Sequence, residues 1–146
     1  MENRVSQVWQ DRATVAYRAP ELYTVAPHNV FNITGPVIIT VLGGMQTGAA
    51  GAGSTCIFAI NGVAPDAAAV AVDGGIGLVF ASCLNVAGTL VNAAGVPLTD
   101  ALLHSKGFLA GNSVGTITAT FAVDTWTGEL FCVYRKLAPY SSINVA

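Results

Sequence analysis

The chain has 146 residues, of which only 10% are charged, and its six Lys or Arg and eight Asp or Glu give a formal net charge of −2. Ordinary soluble domains carry about 25% charged residues, so this length predicts one domain with an unusually neutral surface. The negative balance excludes the basic stripe that nucleic-acid binding requires. A surface this poor in charge favours association with other protein.

The charges are concentrated at the N-terminus. Six of them lie in residues 1–21, whereas residues 22–105 contain three Asp and no Lys or Arg. Segments of mixed charge with a few aromatic residues often order only against a partner, and we predict an extended arm over residues 1–21. A terminus that is merely frayed has the same composition. The aromatic and basic residues of the arm are its predicted partner contacts: Trp9, Arg12, Tyr17 and Arg18.

From Leu22 onward, short apolar or β-branched runs alternate with turn residues, which predicts strands. Asn61-Gly62 predicts a type I′ turn, because both central positions of that turn need a positive φ. A single short helix is predicted between a cap at Thr99 and a stop at Gly107. The main strands are predicted at 22–26, 29–34, 36–42, 55–60, 67–72, 76–82, 114–123 and 129–137, with weaker ones at 84–87, 89–92 and 107–110.

These elements predict an all-β fold, namely an antiparallel β-sandwich of jelly-roll type with an extended N-terminal arm. The sandwich domain is predicted over residues 22–137 and a C-terminal tail over residues 138–146, where Tyr140 is a further predicted partner contact. The charge-free window 76–94 is long enough to span a membrane. It has a strand-like pattern and no flanking Lys or Arg, so we predict no membrane association.

Two stretches match motifs of chemical sites but lack a necessary group. Residues 48–55 have the spacing of a phosphate-binding P-loop, with Ser54 in place of the Lys. Residues 111–115 match G-x-S-x-G, yet no His follows Ser113 in the chain. The three cysteines are widely spaced, which indicates neither a disulfide framework nor a zinc site. We therefore expect no enzyme activity, no cofactor and no metal.

Three runs of the chain resemble capsid decoration (cement) proteins of tailed phages: LYTVAPHNVFNITGPVIITVLGG, GAGSTCIFAI and TITATFAVDTWTGELFCVYRKLAP. The resemblance covers most of the chain after Leu22. It lies in the order of a G-P-V strand opening, a long Ala/Gly/Thr body and a final hairpin that ends in Leu-Ala-Pro. It implies a structural protein on the outside of an icosahedral shell, without catalytic residues.

Composition and resemblance together predict a structural virion protein that binds the outer capsid surface and cements neighbouring major capsid subunits. Its predicted partners are the major capsid protein and itself, with a homodimer favoured and a trimer possible, and no nucleic acid or membrane. The predicted location is the capsid exterior, after synthesis in the host cytoplasm. The alternative is a phage tail or head-fibre module that binds the host surface, although the scattered aromatic residues weigh against such a binding face.

Overall fold

The computed structural model describes residues 13–65, 68–83, 90–91, 97–98, 108–110 and 114–146. Within these ranges every regular element is a β-strand, and the long strands form two antiparallel sheets that pack face to face. The predicted all-β sandwich is therefore confirmed. The helix predicted after Thr99 lies outside the described residues.

The strands follow one another with mostly short connections. In chain order they are β1 (Ala13–Tyr23), β2 (Pro27–Thr34), β3 (Val37–Gln46), β4 (Thr55–Ile60), β5 (Val70–Ala71), β6 (Val79–Cys83), β7 (Leu90–Val91), β8 (Pro97–Leu98), β9 (Phe108–Ala110), β10 (Val114–Ala122), β11 (Trp126–Lys136) and β12 (Ser142–Val145). The first sheet has the order β1-β11-β3-β6, with β9 also paired to β3, and the second has the order β12-β2-β10-β4-β5. β7 and β8 pair with each other.

The strand order is that of a jelly roll. β1, β2, β3 and β4 lie alternately in the first and second sheets, β4 and β5 are neighbours in the second, and β10 and β11 again lie in different sheets. This interleaving of two four-stranded sheets is the arrangement of two Greek keys in a jelly roll. β12 extends the second sheet beyond β2.

Stacked aromatic rings join the two sheets in the core. Trp126 of β11 and Tyr23 of β1 meet Phe121 of β10, with ring centroids 5.1 Å apart for Phe121 and Trp126 and 4.7 Å apart for Tyr23 and Phe121. All three side chains are fully buried. The indole Nε1 of Trp126 donates a hydrogen bond of 2.9 Å to the carbonyl oxygen of Val72. Such ring pairs add about 0.5–1.5 kcal/mol to the gain from burial.

Two adjacent glycines allow bulky neighbours to close over the central strand β3. A Cβ atom at Gly44 would lie 2.8 Å from Cδ2 of Leu130, and one at Gly43 would lie 2.8 Å from Cζ of Phe131 and against the carbonyl oxygen of Phe80. These glycines belong to β3, so the loop predicted to begin at Gly43 begins only after Gln46. The pair Gly43-Gly44 favoured the end of a strand, because glycine is ordinarily depleted in strands.

The predicted boundary between arm and sandwich falls inside a strand. Residues 13–21 belong to β1, which pairs with β11 from Ala13↔Arg135 to Tyr23↔Trp126. Pro20 is accommodated because β1 is an edge strand whose register shifts between Arg18 and Glu21. Residues 1–12 of the predicted arm lie outside the described residues.

The predicted C-terminal tail also contributes a strand. Residues 142–145 form β12, which pairs with β2 from Ser142↔Thr34 to Val145↔Phe31. Ile143 is buried in the core, and Ser141 donates a hydrogen bond of 2.6 Å from its hydroxyl to the carbonyl oxygen of Pro36. The C-terminal segment is therefore part of the sandwich.

The Asn61-Gly62 turn is confirmed. Both residues have a positive φ, of 51° and 81° respectively. The flanking residues exchange backbone hydrogen bonds, of 2.9 Å from Val63 N to Ile60 O and 2.8 Å in the reverse direction. This is the geometry of a type I′ turn. The strand predicted after it, at 67–72, is shorter in the structure, where β5 covers only Val70–Ala71.

The aromatic stack predicts a graded loss of stability at Trp126. Trp126→Phe keeps ring packing but leaves the buried Val72 carbonyl without its donor, which we expect to cost about 1–3 kcal/mol. Trp126→Ala also opens a cavity, so the expected cost is about 3–5 kcal/mol. Equilibrium urea unfolding measures both, with the exposed Tyr140→Phe as a control expected to change stability by less than about 0.5 kcal/mol. A Trp126→Phe protein as stable as the wild type would contradict the role of this hydrogen bond.

Candidate protein-interaction site

The outer face of the second sheet is polar but uncharged. Side chains alternate between the two faces of a strand, and residues in direct register on neighbouring strands share a face. The register therefore identifies the residues that point outward: Asn32, Thr34, Thr55, Ile57, Ala59, Val114, Thr116, Thr118, Thr120, Ala122, Ser142 and Asn144. Most of them are Thr, Asn or Ser, whose polar groups remain hydrated without a charge.

The outer face of the first sheet is apolar. The same register places Val15 beside Val133, and Tyr17 beside Phe131. Val15, Tyr17 and Val79 are 60%, 52% and 58% exposed. We call the following set the apolar face: Val15, Tyr17, Val41, Gly43, Met45, Val79, Ala81, Phe131 and Val133. A contiguous exposed patch of this kind marks an interaction site more often than a free surface.

The sequence of β11 explains why this face exists. Leu130, Cys132 and Tyr134 point into the core and are buried, while Phe131 and Val133 between them point outward and are half-buried. A strand that is apolar on both sides is typical of a strand covered on both sides. Among the described residues, the core packs against the inner side of the first sheet, and the outward residues of β11 from Glu129 to Val133 stay partly exposed.

Two charged residues of β11 lie at opposite ends of the apolar face. Glu129 accepts a hydrogen bond of 2.6 Å from the phenol of Tyr17, and this bond raises the pKa of Tyr17. Arg135 lies at the other end, in register with Ala13 and with Ile38. Ile38 is only 2% exposed, so the open part of the face ends at this row.

The predicted contact residues of β1 have different positions. Tyr17 lies on the apolar face. Arg18 points the other way, and its Nη1 donates hydrogen bonds of 3.0 Å to Val30 O and 3.1 Å to Ala146 O. Its Nη2 forms an ion pair of 3.1 Å with Glu21. The guanidinium of Arg18 therefore links β1 to β2 and to the C-terminal residue Ala146, and it does not contribute to the apolar face.

The remaining predicted contacts lie elsewhere. Tyr140 is 70% exposed and belongs to the connection between β11 and β12. Its ring lies over Gly35, where a Cβ atom would be 2.8 Å from Cε2 of Tyr140. Trp9 and Arg12 lie outside the described residues. Of the three predicted contacts that the structure describes, Tyr17 lies on the apolar face and Arg18 and Tyr140 do not.

Sequence reasoning missed most of the apolar face. Phe131 and Val133 carried a usable signal, because five successive residues of the predicted strand 129–137, LFCVY at 130–134, are apolar or aromatic and so make both of its sides apolar. The sequence around Val15 and Val79 carried no such signal, because neither residue can be assigned to an exposed face before the pairing of the strands is known. Their pairing partners, Val133 and Met45, are distant in sequence.

The P-loop-like stretch has a structural role. It forms the connection between β3 and β4 and leads into a strand, so no helix N-terminus is present there to bind a phosphate. Ser54 is fully buried, and its hydroxyl oxygen lies 2.9 Å from the carbonyl oxygens of Gly51 and Thr125. The hydroxyl is thus hydrogen-bonded to the backbone. Ser113 of the G-x-S-x-G match lies outside the described residues.

Cys56 and Cys132 are buried and free. Burial raises the pKa of the Cys56 thiol to about 12 and raises that of Cys132 as well. Because the thiolate is the reactive form, both behave as small apolar core residues at neutral pH. Within the described ranges, no group of three or more His, Cys, Asp or Glu side chains is arranged to hold a metal ion.

The chain matches no protein-family model, no curated protein and no solved structure. Among the residues that the structure describes, no helix is long and apolar enough to cross a membrane. The apolar face is therefore the candidate site, and its chemistry suits the burial of protein surface.

Alkaline pH is predicted to destabilise the fold through buried acidic groups. Burial raises the pKa of Cys56 from 9.0 and that of Tyr23 from 10.0, in each case to about 12. As pH rises from about 9 to about 12, the unfolded chain loses these protons before the folded chain does, so the free energy of unfolding falls. Each group contributes at most about 1.4 kcal/mol per pH unit.

Urea unfolding at a series of pH values measures this loss. Between pH 9 and 10, in the lower part of that window, Cys56→Ala should show a smaller slope than the wild type, because its unfolded state has one thiol fewer to ionise. A free energy of unfolding that is constant or rises over this range would contradict the burial of these groups.

Proposed function

We propose that this protein is a structural subunit that binds the outer surface of a tailed-phage capsid and cements neighbouring major capsid subunits. The apolar face of the jelly-roll sandwich is the observation that carries the proposal. The resemblance of the three runs to decoration proteins supports the same function.

The mechanism is burial of the apolar face against a neighbouring copy on the shell, while the N-terminal segment and the edge of β1 contact the capsid. Each Å² of apolar surface removed from water contributes about 25 cal/mol, and part of that gain is lost to the ordering that binding requires. The binding free energy of a single copy is therefore modest. A lattice multiplies the gain, because neighbouring copies are held at a high effective concentration.

The edge of the first sheet offers a second type of contact. β1 is an edge strand, and an edge strand presents backbone N–H and C=O groups that can pair with a strand of another chain. Strand addition of this kind provides affinity through main-chain hydrogen bonds. Pro20 and the register shift after Arg18 interrupt this edge, so regular pairing with another strand is confined to residues 13–18.

Co-sedimentation with undecorated capsids of the phage that encodes the chain tests the function. We expect the protein to pellet with the capsids at a fixed number of copies per capsid subunit and to raise the temperature at which the shells break open. Bovine serum albumin serves as the control for trapping. Absence of binding at saturating protein concentration would contradict the proposal.

A shortened chain tests the N-terminal contacts. Because β1 begins at Ala13, deletion of residues 2–12 removes Trp9 and Arg12 and leaves the strand intact. We expect the shortened protein to keep its far-ultraviolet circular dichroism and its melting temperature but to bind capsids at least about tenfold more weakly, a loss of about 1.4 kcal/mol. Undiminished binding would contradict the partner-contact role of these residues.

A further inference from the structure

The charges that flank the apolar face are arranged with opposite signs at its two ends. Glu129 and Arg135 both point outward from β11 and are six residues apart, which is about 20 Å along a strand. Cys132 lies midway between them in sequence. The outward side chains next to this midpoint are Phe131 and Val133.

Two copies of this face can pack together about a two-fold axis in the plane of the sheet, in two orientations. An axis parallel to the strands leaves their direction unchanged, so Glu129 lies level with Glu129 of the second copy and Arg135 with Arg135. An axis perpendicular to the strands reverses their direction and brings Arg135 to Glu129 of the second copy. Opposite charges attract and like charges repel, so electrostatics favours the perpendicular axis.

We propose that the apolar face is a homodimer interface, in which a second copy packs face to face about a two-fold axis that crosses the strands at the level of Cys132. This inference rests on the proposed function, because it takes the apolar face as the assembly surface. The dimer is isologous, so each contact occurs twice. Its ion pairs join Glu129 of each copy to Arg135 of the other at the rim.

The rows of side chains are complementary in this orientation. Phe131 packs on Val133 of the second copy, and Tyr17 packs on Val15 of the second copy. The row of Phe131 continues into Gly43, over which the Phe131 ring lies, so Val41 of the second copy meets the edge of that ring there. Large side chains thus meet smaller ones, as interdigitation across stacked sheets requires.

The size of the face sets the expected strength of the dimer. Four strands at about 4.8 Å spacing and about 20 Å of strand length give a footprint of roughly 400 Å² per copy. A standard stable interface buries about 800 Å² per partner. The dimer is therefore expected to dissociate on dilution and to form readily on a shell, where copies are concentrated.

Sedimentation equilibrium from micromolar to millimolar protein tests the interface. We expect wild-type protein to shift from monomer to dimer as concentration rises and Val133→Glu to remain monomeric, because it places a carboxylate in the middle of the apolar face. Thr118→Glu is the matched control, since it adds the same charge at an outward position on a central strand of the second sheet, and it should dimerise like the wild type. Melting temperatures of both variants confirm that they fold.

Reversing the charges of Glu129 and Arg135 tests the orientation of the two-fold axis. Glu129→Lys and Arg135→Glu each replace two attractive pairs by two repulsive pairs, so each should weaken the dimer by about 5- to 30-fold. The double variant E129K/R135E restores opposite charges across the interface and should return the dissociation constant to within about threefold of the wild type. Single variants that dimerise as tightly as the wild type would overturn the perpendicular axis.

The outcomes separate this inference from the proposed function. A protein that binds capsids but stays monomeric up to millimolar concentration overturns the homodimer and leaves the capsid function standing. A protein that dimerises through the apolar face but does not bind capsids overturns the capsid function and leaves the homodimer standing. A dimer that is unaffected by Val133→Glu overturns the assignment of the interface to the apolar face.

Discussion

The stack of Trp126 on Phe121 between the two sheets is the interaction on which the rest of the structure depends. The two residues lie on either side of the turn that joins β10 to β11, so their inward packing fixes which residues of both strands face the core. Because a strand alternates with a period of two, a slip by one residue would move every side chain to the opposite face. With Trp126 inside, Phe131 and Val133 must lie outside. The outward position of these two residues is thus a direct consequence of how the core packs.

The hairpin of β10 and β11 also shows that the fold does not need this face to be apolar. β10 is equally central in its sheet, and between its end positions Val114 and Ala122 its outward residues are Thr116, Thr118 and Thr120. β11 has Phe131 and Val133 in the corresponding outward positions. The same sandwich therefore tolerates hydroxyl groups on one outer face and presents hydrocarbon on the other. Folding accounts for the inner residues of both strands, and under the proposed function contact with other protein accounts for the outer residues of β11.

Local patterns were enough to predict the fold class but not the surface. The alternation of 114–123 and the Asn61-Gly62 turn predicted an antiparallel sandwich, because both signals act over a few residues. Residues 13–21 were predicted as part of an arm because residues 1–21 carry six of the charges and differ in composition from the rest of the chain. Only their pairing with β11, more than 100 residues away, shows that they form a strand. Arg18 was predicted to contact a partner for a related reason. The carbonyl groups that accept its hydrogen bonds belong to Val30 of β2 and to Ala146. The sequence alone does not show that these groups lie beside Arg18.

Hydroxyl-radical footprinting over a range of protein concentrations tests most directly whether the apolar face lies against other protein. Tyr17 and Met45 report on the face, and Tyr140, exposed outside it, is the internal reference. If copies pack through the face, the labelling of Tyr17 and Met45 falls as concentration rises while that of Tyr140 stays constant. Labelling of Tyr17 and Met45 that remains in constant ratio to that of Tyr140 from dilute to millimolar protein would contradict the account.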